Sequence, residues 1–145
     1  MASNRHLGRI VALQSLYEYD FRVSEEKLDI ADITARNFTQ YEDVIDDEAF
    51  VYDVTKTVVT HQDDIDELIQ PAAPEWPVEQ IARIDKIVLR IAVAELCYLQ
   101  ETPPKVVINE AVELGKRFGG DNSSKFINGV LGTVYREHIE TQSTE

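Results

Sequence analysis

The residue types that could bind a phosphate are concentrated around one short segment near the C-terminal end of the sequence. Lys116 and Arg117 end one run of helical periodicity, and Lys125 lies at the start of the next. Between them, Gly119-Gly120 interrupts the helix, and the run from Asp121 to Ser124 offers several candidate N-caps. Cations beside the free N–H groups of a helix N-terminus attract anions. The segment therefore predicts a phosphate-binding joint between two helices.

Catalytic chemistry has much weaker support. Glu110 and Glu113 are one helical turn apart and could form a carboxylate pair for acid–base or metal chemistry. However, the segment has no histidine, and the sequence contains neither a Walker-type phosphate loop nor a dinucleotide fingerprint. The three histidines have none of the spacings of a zinc site, and Cys97 falls in a helix that is apolar on all sides. We therefore expect no enzyme, no cofactor and no metal site.

Length and composition bound the class of protein. A chain of 145 residues is long enough for one domain with its own hydrophobic core. The single cysteine excludes an internal disulfide and favours the reducing cytoplasm. The longest apolar run, from Ile87 to Leu99, is short for a membrane span and contains Arg90 and Glu95. We expect a soluble cytoplasmic protein with no membrane partner.

The charge of the chain is unevenly distributed. The formal net charge is −13, and residues 20–70 hold 15 acidic residues against 4 basic ones. Residues 81–136 hold 6 acidic residues against 8 basic ones, and residues 1–19 carry a small positive excess. This pattern suggests a basic protein as partner for one flank and phosphates for the other. The alternative is that the acidic residues only form a solvated face.

Helical periodicity accounts for the N-terminal half. A first amphipathic helix is predicted from Asn4 to Phe21, with apolar residues at three- and four-residue steps. Acidic or capping residues then precede three further helices. Their predicted extents are Ser24 to Phe38, Asp46 to Thr60, and Asp63 to Ile69.

A proline-rich segment separates the two halves of the chain. Pro71, Pro74 and Pro77 predict an extended connector, because each proline fixes its own φ and restricts the preceding residue. A helix buried on all sides is expected from Val78 to about Gln100. Arg90 and Glu95 lie within its most apolar part, so each is expected to have a partner on another helix.

These elements predict an all-α protein. We expect a single-domain helical bundle of about seven helices in two sub-bundles, since alternation of apolar residues is too brief anywhere for a sheet. Residues 1–139 are expected to form the domain, and residues 140–145 a flexible C-terminal tail.

Four segments carry a resemblance to a known family. They are ARIDKIVLRIAVAEL at 82–96, PKVVINEAVELGKRFG at 104–119, SSKFINGVL at 123–131 and RIVALQSLYEYD at 9–20. In this order and spacing they resemble the NusB transcription antitermination factor family. The resemblance implies a seven-helix protein that pairs with the small-subunit ribosomal protein NusE and binds the boxA element of nascent RNA. The resulting complex helps RNA polymerase to read through terminators, especially in ribosomal RNA operons.

The resemblance also implies which residues contact RNA. The arginine-rich N-terminal helix of the family corresponds here to Arg5, His6 and Arg9, which would contact phosphates. Leu7 and Gly8 interrupt this run, so fewer phosphate contacts are expected. The RNA-facing helix ends correspond to Lys116, Arg117, Ser124, Lys125 and Phe126. Phe126 could stack on a base, or it could instead pack in the core beside Val130.

For the NusE side, the resemblance points to Tyr17, Asp85, Asp121 and Asn122. Asp85 interrupts an apolar helix near its start, which suits an exposed contact but equally suits stabilisation of the helix dipole. Asn122 occupies a position where the family commonly has an aspartate, and it could act only as an N-cap.

The net charge of −13 motivates a second function. A protein-only adapter or homodimer with weakened RNA binding would need no phosphate surface. The alternative that reconciles the charge with RNA binding is ordered assembly, in which the acidic surface first captures basic NusE and the two proteins then bind RNA together.

Overall fold

The computed structural model describes residues 2–22 and 28–140, and of residues 2–4 it describes the backbone alone. This part of the chain contains helices and loops but no strand. Seven α-helices follow one another within these described ranges. They are α1 (Ala2–Phe21), α2 (Ile30–Thr39), α3 (Glu48–Thr60), α4 (Gln62–Ala72), α5 (Arg83–Val93), α6 (Pro104–Phe118) and α7 (Ser123–Val134). A 3₁₀ turn (Val78–Gln80) precedes α5, and π-helical segments extend α5 (Ala94–Leu99) and α7 (Tyr135–Glu140). The all-α prediction with about seven helices is confirmed.

Local capping explains where several helices begin. The Asp47 side chain accepts a hydrogen bond from the backbone N–H of Phe50 at the start of α3. Asp29 caps α2 in the same way, through the backbone N–H of Ala31. The prediction that the second helix runs continuously from Ser24 was wrong, because Asp29 is extended and sets the start at Ile30; Ser24 itself lies outside the described residues.

The proline-rich connector differs from the extended segment that was expected. Pro71 lies inside the last turn of α4, and the turn after it is closed by a hydrogen bond from the N–H of Trp76 to the carbonyl of Ala73. The predicted helix from Val78 is divided, since Ile81 and Ala82 are extended and α5 begins only at Arg83.

Two groups of helices share one main core. Helices α1, α2 and α3 pack on one another, while α4, α5, α6 and α7 form the second group. The connector was expected to separate the groups after α4, but α4 packs chiefly on α5 and α7 and so belongs to the second group. Helix α5 lies at the centre, with Val88, Leu89 and Val93 fully buried. It contacts α1, α3, α4, α6 and α7, so that the core is continuous between the groups.

Arg90 of α5 and Glu95 of its extension, the two charged residues in the most apolar part of the predicted central helix, are ion-paired, as predicted. Arg90 donates two hydrogen bonds to Asp66 of α4, at 2.9 and 2.8 Å. Glu95 accepts two from Arg9 of α1, both at 2.7 Å. These pairs tie α5 and its extension to α4 and α1, and they satisfy charges whose unpaired burial would cost several kcal/mol.

The predicted tail falls largely outside the described residues. Residues 141–145 are not described, while Glu140 is the last residue of the π-helical extension. A tail of residues 140–145 therefore stays a prediction, except that Glu140 is helical.

Candidate nucleic-acid interface

The joint between α6 and α7 is built by close packing of two helix ends. A Cβ added at Gly115 would lie 2.6 Å from Cδ1 of buried Ile127, so the glycine permits the close approach of the two helices. Gly119 ends α6 with a hydrogen bond from its N–H to the carbonyl of Gly115, at 2.9 Å. The Ser123 hydroxyl then accepts a hydrogen bond from the N–H of Gly120, with 2.8 Å between the nitrogen and Oγ. The glycine stop predicted from the sequence is confirmed, and the loop is held at both ends.

The joint presents three exposed cations. Lys116 and Arg117 lie on the last turn of α6, and Lys125 lies on the first turn of α7. Lys116 is only 3.5 Å from Glu113, an exposed pair that contributes little. The Arg117 guanidinium lies 5.7 Å from the centre of the Phe118 ring. The three cations that the sequence placed around the loop are therefore all exposed on the helix ends that flank it.

Phe126 packs on the core, and its position also allows the base stacking that was considered for it. Its ring is half-buried and packs against the main core, as the core alternative required. The same residue borders a groove of about 410 Å³ together with Trp76 and Asp85. Ser124, which precedes Lys125, is half-buried. Part of Phe126 is thus available to a ligand while the rest stabilises α7.

Arg5 and His6 are each held by carboxylates of the same chain. Arg5 lies 3.1 Å from Asp47 and 3.2 Å from Glu101, and its guanidinium stacks over a phenylalanine ring. His6 lies with Nδ1 2.7 Å from Glu110 of α6. Both side chains remain partly exposed, so a phosphate would have to compete with these carboxylates for them.

Arg9 does not occupy the surface position that a phosphate contact needs. The residue is 2% exposed, and both of its hydrogen bonds to Glu95 are short and buried. Its guanidinium also lies 5.1 Å from the centre of the Phe50 ring. The expected phosphate contact by Arg9 is therefore replaced by a role in packing α1 on the extension of α5.

Helix α6 relates the two sets of cations to each other. Glu110, which holds His6, precedes Arg117 by seven residues. Residues seven apart lie on the same side of a helix, about 10 Å apart along its axis. His6 and Arg117 are consequently on one side of α6, and a single strand could pass both.

Tyr17 and Phe21 form an exposed aromatic pair at the C-terminal end of α1. Tyr17 is 39% and Phe21 is 68% exposed. The Arg83 guanidinium lies 5.7 Å from the Tyr17 ring and 5.4 Å from the Phe21 ring. Arg83 also donates to Asp20 at 2.9 Å. An exposed, partly apolar patch of this kind is typical of a protein-binding surface.

Of the two roles considered for Asp85, the structure matches stabilisation of the helix dipole rather than an exposed contact. Asp85 is 8% exposed and lies in the first turn of α5, where its charge suits the helix dipole. It borders the same groove as Phe126 rather than the patch around Tyr17. Asp121 and Asn122 are exposed in the α6–α7 loop, and Asn122 sits at the N-cap position of α7 without a hydrogen bond from its side chain.

The carboxylate pair considered for catalysis does not converge. Glu110 binds His6 and Glu113 faces Lys116, on separate partners. Burial raises the pKa of the Cys97 thiol, which makes it a poor nucleophile. Within residues 2–22 and 28–140, no cluster of three His, Cys, Asp or Glu side chains could hold a metal ion, and no helix is long and apolar enough to cross a membrane.

Two aromatic residues of the candidate surfaces, Phe21 and Trp76, escaped the sequence interpretation. Phe21 follows Tyr17 by four residues, a spacing that places both rings on one side of α1, but it was counted as part of the apolar face. Trp76 was passed over because the prolines around it indicated only a connector. Its signal is a large aromatic residue in a segment of the chain that is otherwise small or polar.

Comparison with known proteins gives consistent matches over the whole chain. The model of the NusB family matches residues 6–136. The chain is 40% identical over 141 residues to the transcription antitermination protein NusB of Dehalococcoides mccartyi strain CBDB1, covering 97% of this chain and 96% of that protein. It is 44% identical over 141 residues to the protein of that name from Chloroflexus aggregans, covering 96% and 91%.

Solved structures show the same fold. The structure of NusB from T. maritima superposes with a TM-score of 0.85 at 28% identity, covering 97% of this chain and 96% of that one. A chain from a crystal structure of the antitermination factors NusB and NusE in complex with dsRNA superposes with a TM-score of 0.82 at 24% identity, covering 95% and 100%. At that identity, the second match speaks for the fold alone.

Proposed function

Because the chain belongs to the NusB family, we propose that it is a transcription antitermination factor that pairs with ribosomal protein NusE and binds boxA RNA. The observation that carries the proposal is the full-length match to proteins named transcription antitermination protein NusB. The bound complex would promote read-through by RNA polymerase, chiefly on ribosomal RNA transcripts. The chain is accordingly a binding factor rather than an enzyme, and its site of action is the cytoplasm.

The RNA surface is proposed to centre on the α6–α7 joint. Lys116, Arg117 and Lys125 are exposed there, and Phe126 offers part of an aromatic face. Single-stranded RNA is commonly bound by cations along its backbone together with aromatic rings that stack on splayed bases. Arg5, beside Glu101 ahead of α6, and His6, beside Glu110 in the middle of α6, would contribute after exchanging their carboxylate partners for phosphates.

The NusE surface is proposed to centre on Tyr17 and Phe21. Tyr17 is 39% and Phe21 is 68% exposed at the end of α1. Asp121 and Asn122 are exposed in the α6–α7 loop, where Asn122 borders a groove together with Asp85 of α5. A net charge of −13 favours association with a basic ribosomal protein. NusE would then supply positive charge that this chain lacks, so that the pair binds RNA more tightly than either protein alone.

Fluorescence anisotropy of labelled boxA RNA tests the proposal. Binding should be selective over a scrambled RNA and should strengthen when NusE is added. If Lys116, Arg117 and Lys125 at the α6–α7 joint each contact one phosphate, the slope of log affinity against log salt concentration should be about −2 for this protein alone. Lys125→Ala should remove one phosphate contact and so make that slope shallower by about 0.7, while leaving NusE binding unchanged.

The adapter or homodimer alternative is favoured by one observation, the pairing of Arg5, His6 and Arg9 with carboxylates of the same chain. It predicts equal and negligible binding of both RNAs even in the presence of NusE. Loss of NusE binding in Lys125→Ala, with RNA binding retained, would instead show that the two surfaces have been assigned in reverse.

A further inference from the structure

One buried carboxylate oxygen has no hydrogen-bond partner in the described part of the chain. Asp85 is 8% exposed, and its Oδ1 atom is shielded from solvent without accepting a hydrogen bond. The α5 dipole stabilises a negative charge at this position, but it does not replace a donor. An unsatisfied acceptor costs about 1–3 kcal/mol, so such an atom calls for an explanation. A ligand that donates a hydrogen bond would provide one.

Asp85 faces a groove that we name the Trp76 groove. It is lined by Trp76, Ile81, Asp85, Asn122 and Phe126, among others, and has a volume of about 410 Å³. Trp76 and Phe126 also border an adjoining groove of about 280 Å³, which is lined by Lys125 and Gly129 as well. Each volume is near or within the range of small-molecule sites. Two aromatic residues thus stand where the grooves meet, with a carboxylate on one side and a cation on the other.

Trp76 is held in place although its side chain reaches solvent. The residue is 51% exposed, so packing alone does not explain a large indole here. The side-chain amide of Gln70 donates to the carbonyl of Trp76 at 2.7 Å and accepts the N–H of Val78 at 3.0 Å. The N–H of Trp76 donates to the carbonyl of Ala73 at 3.1 Å. The backbone on both sides of the indole is therefore fixed before any ligand binds, which lowers the entropic cost of binding.

We propose that the Trp76 groove binds one unpaired RNA base that carries an exocyclic amino group, with Trp76 providing a stacking surface in addition to Phe126. The inference rests on the proposed RNA-binding function and deepens it. The Asp85 carboxylate would turn Oδ1 toward the groove to accept from the amino group, and Lys125 would meet the phosphate next to the base. A base satisfies the carboxylate without bringing a second charge, and its flat face matches an aromatic lining.

The chemistry of the bases makes the proposal selective. Cytosine, adenine and guanine each present an amino group on the Watson–Crick edge. Uracil instead presents one N–H between two carbonyl oxygens, which would lie against the Asp85 carboxylate and be repelled by it. Cytosine and uracil have similar ring sizes, so that comparing them isolates the effect of the amino group from that of stacking.

Trp76 is the single tryptophan of the chain, so its fluorescence reports on the groove directly. The full-length protein is titrated with cytidine and uridine hexanucleotides, and tryptophan emission is recorded in parallel with anisotropy of the labelled RNAs. Quenching should saturate with RNA, and the cytidine hexamer should bind about tenfold more tightly than the uridine hexamer.

Three variants separate this inference from the proposed function. Trp76→Ala should weaken boxA binding about tenfold, whereas Tyr98→Ala removes a similarly exposed ring outside the groove and should have no effect. Asp85→Asn should abolish the preference for cytidine over uridine. Circular dichroism should show that all three variants remain folded.

The outcomes are distinct. Binding of RNA with unchanged tryptophan emission and undiminished affinity of Trp76→Ala would overturn the inference and leave the proposed function intact. Quenching by NusE but not by RNA would also overturn it, because the groove would then hold a protein segment. Failure of boxA RNA to bind even with NusE present would refute the proposed function itself.

Discussion

Arg9 is predicted to stabilise the fold rather than to contact RNA. Its guanidinium and the Glu95 carboxylate are each 3% exposed at the side chain and are joined by two hydrogen bonds of 2.7 Å. Removal of one partner leaves the other as a buried, uncompensated charge, which typically costs about 3–5 kcal/mol. The free energy of unfolding of a domain is only about 5–15 kcal/mol. Arg9→Ala should therefore lower the melting temperature by about 10 °C.

Thermal unfolding followed by circular dichroism measures this effect. The matched control is Arg117→Ala, which removes an exposed arginine and should change the stability by no more than about 0.5 kcal/mol. A double replacement, Arg9→Met with Glu95→Met, should regain most of the loss, because apolar side chains of similar volume can substitute for a buried ion pair. The reasoning is refuted if Arg9→Ala melts within about 2 °C of the wild type while RNA affinity falls.

Two further predictions concern the joint and the thiol. A Cβ at Gly119 would overlap the Ser123 hydroxyl and lie 2.8 Å from the carbonyl oxygen of Gly115, so Gly119→Ala should lower the free energy of unfolding in urea by about 1–3 kcal/mol. The control is Gly120→Ala, because a Cβ at Gly120 would lie 4.0 Å from its nearest neighbour. An equal loss of stability in Gly120→Ala would contradict the prediction. Burial raises the pKa of the Cys97 thiol, so less thiolate exists at pH 8. Iodoacetamide should therefore alkylate Cys97 in the native protein more slowly than it alkylates free cysteine, and denaturant should remove the difference. Equal alkylation rates for native Cys97 and free cysteine would count against the burial of this thiol.

Local signals in the sequence were enough to predict most helices. Each of these signals begins or ends a helix only a few residues away in the sequence. Examples are Asp47 at the start of α3, Pro104 at the start of α6 and the glycines after Phe118. The errors arose where tertiary contacts decide. Pro71 fits within the last turn of α4, and α4 joins α5 and α7 because its apolar side, with Ile65 and Ile69 fully buried, is covered there.

The candidate site was predictable only in part for a similar reason. The sequence indicated that Glu95 needs a cation, but not that Arg9, 86 residues away, provides it. Periodicity likewise could not reveal that Asp85 is buried at the edge of a groove rather than exposed. In contrast, Lys116, Arg117 and Lys125 lie next to one short loop, so their proximity followed from chain connectivity.

Four carboxylates of this fold do more than solvate its surface. Glu95 holds Arg9, Glu110 holds His6, and Asp47 with Glu101 holds Arg5, so carboxylates from four segments of the chain fasten α1. These contacts occupy Arg5, His6 and Arg9, the N-terminal side chains that the resemblance assigns to RNA phosphates. Phosphate binding must then depend on the α6–α7 joint, and a few cations at one joint provide little affinity on a chain of net charge −13. The charge distribution thus favours an order of assembly in which the basic partner binds first and completes the RNA surface.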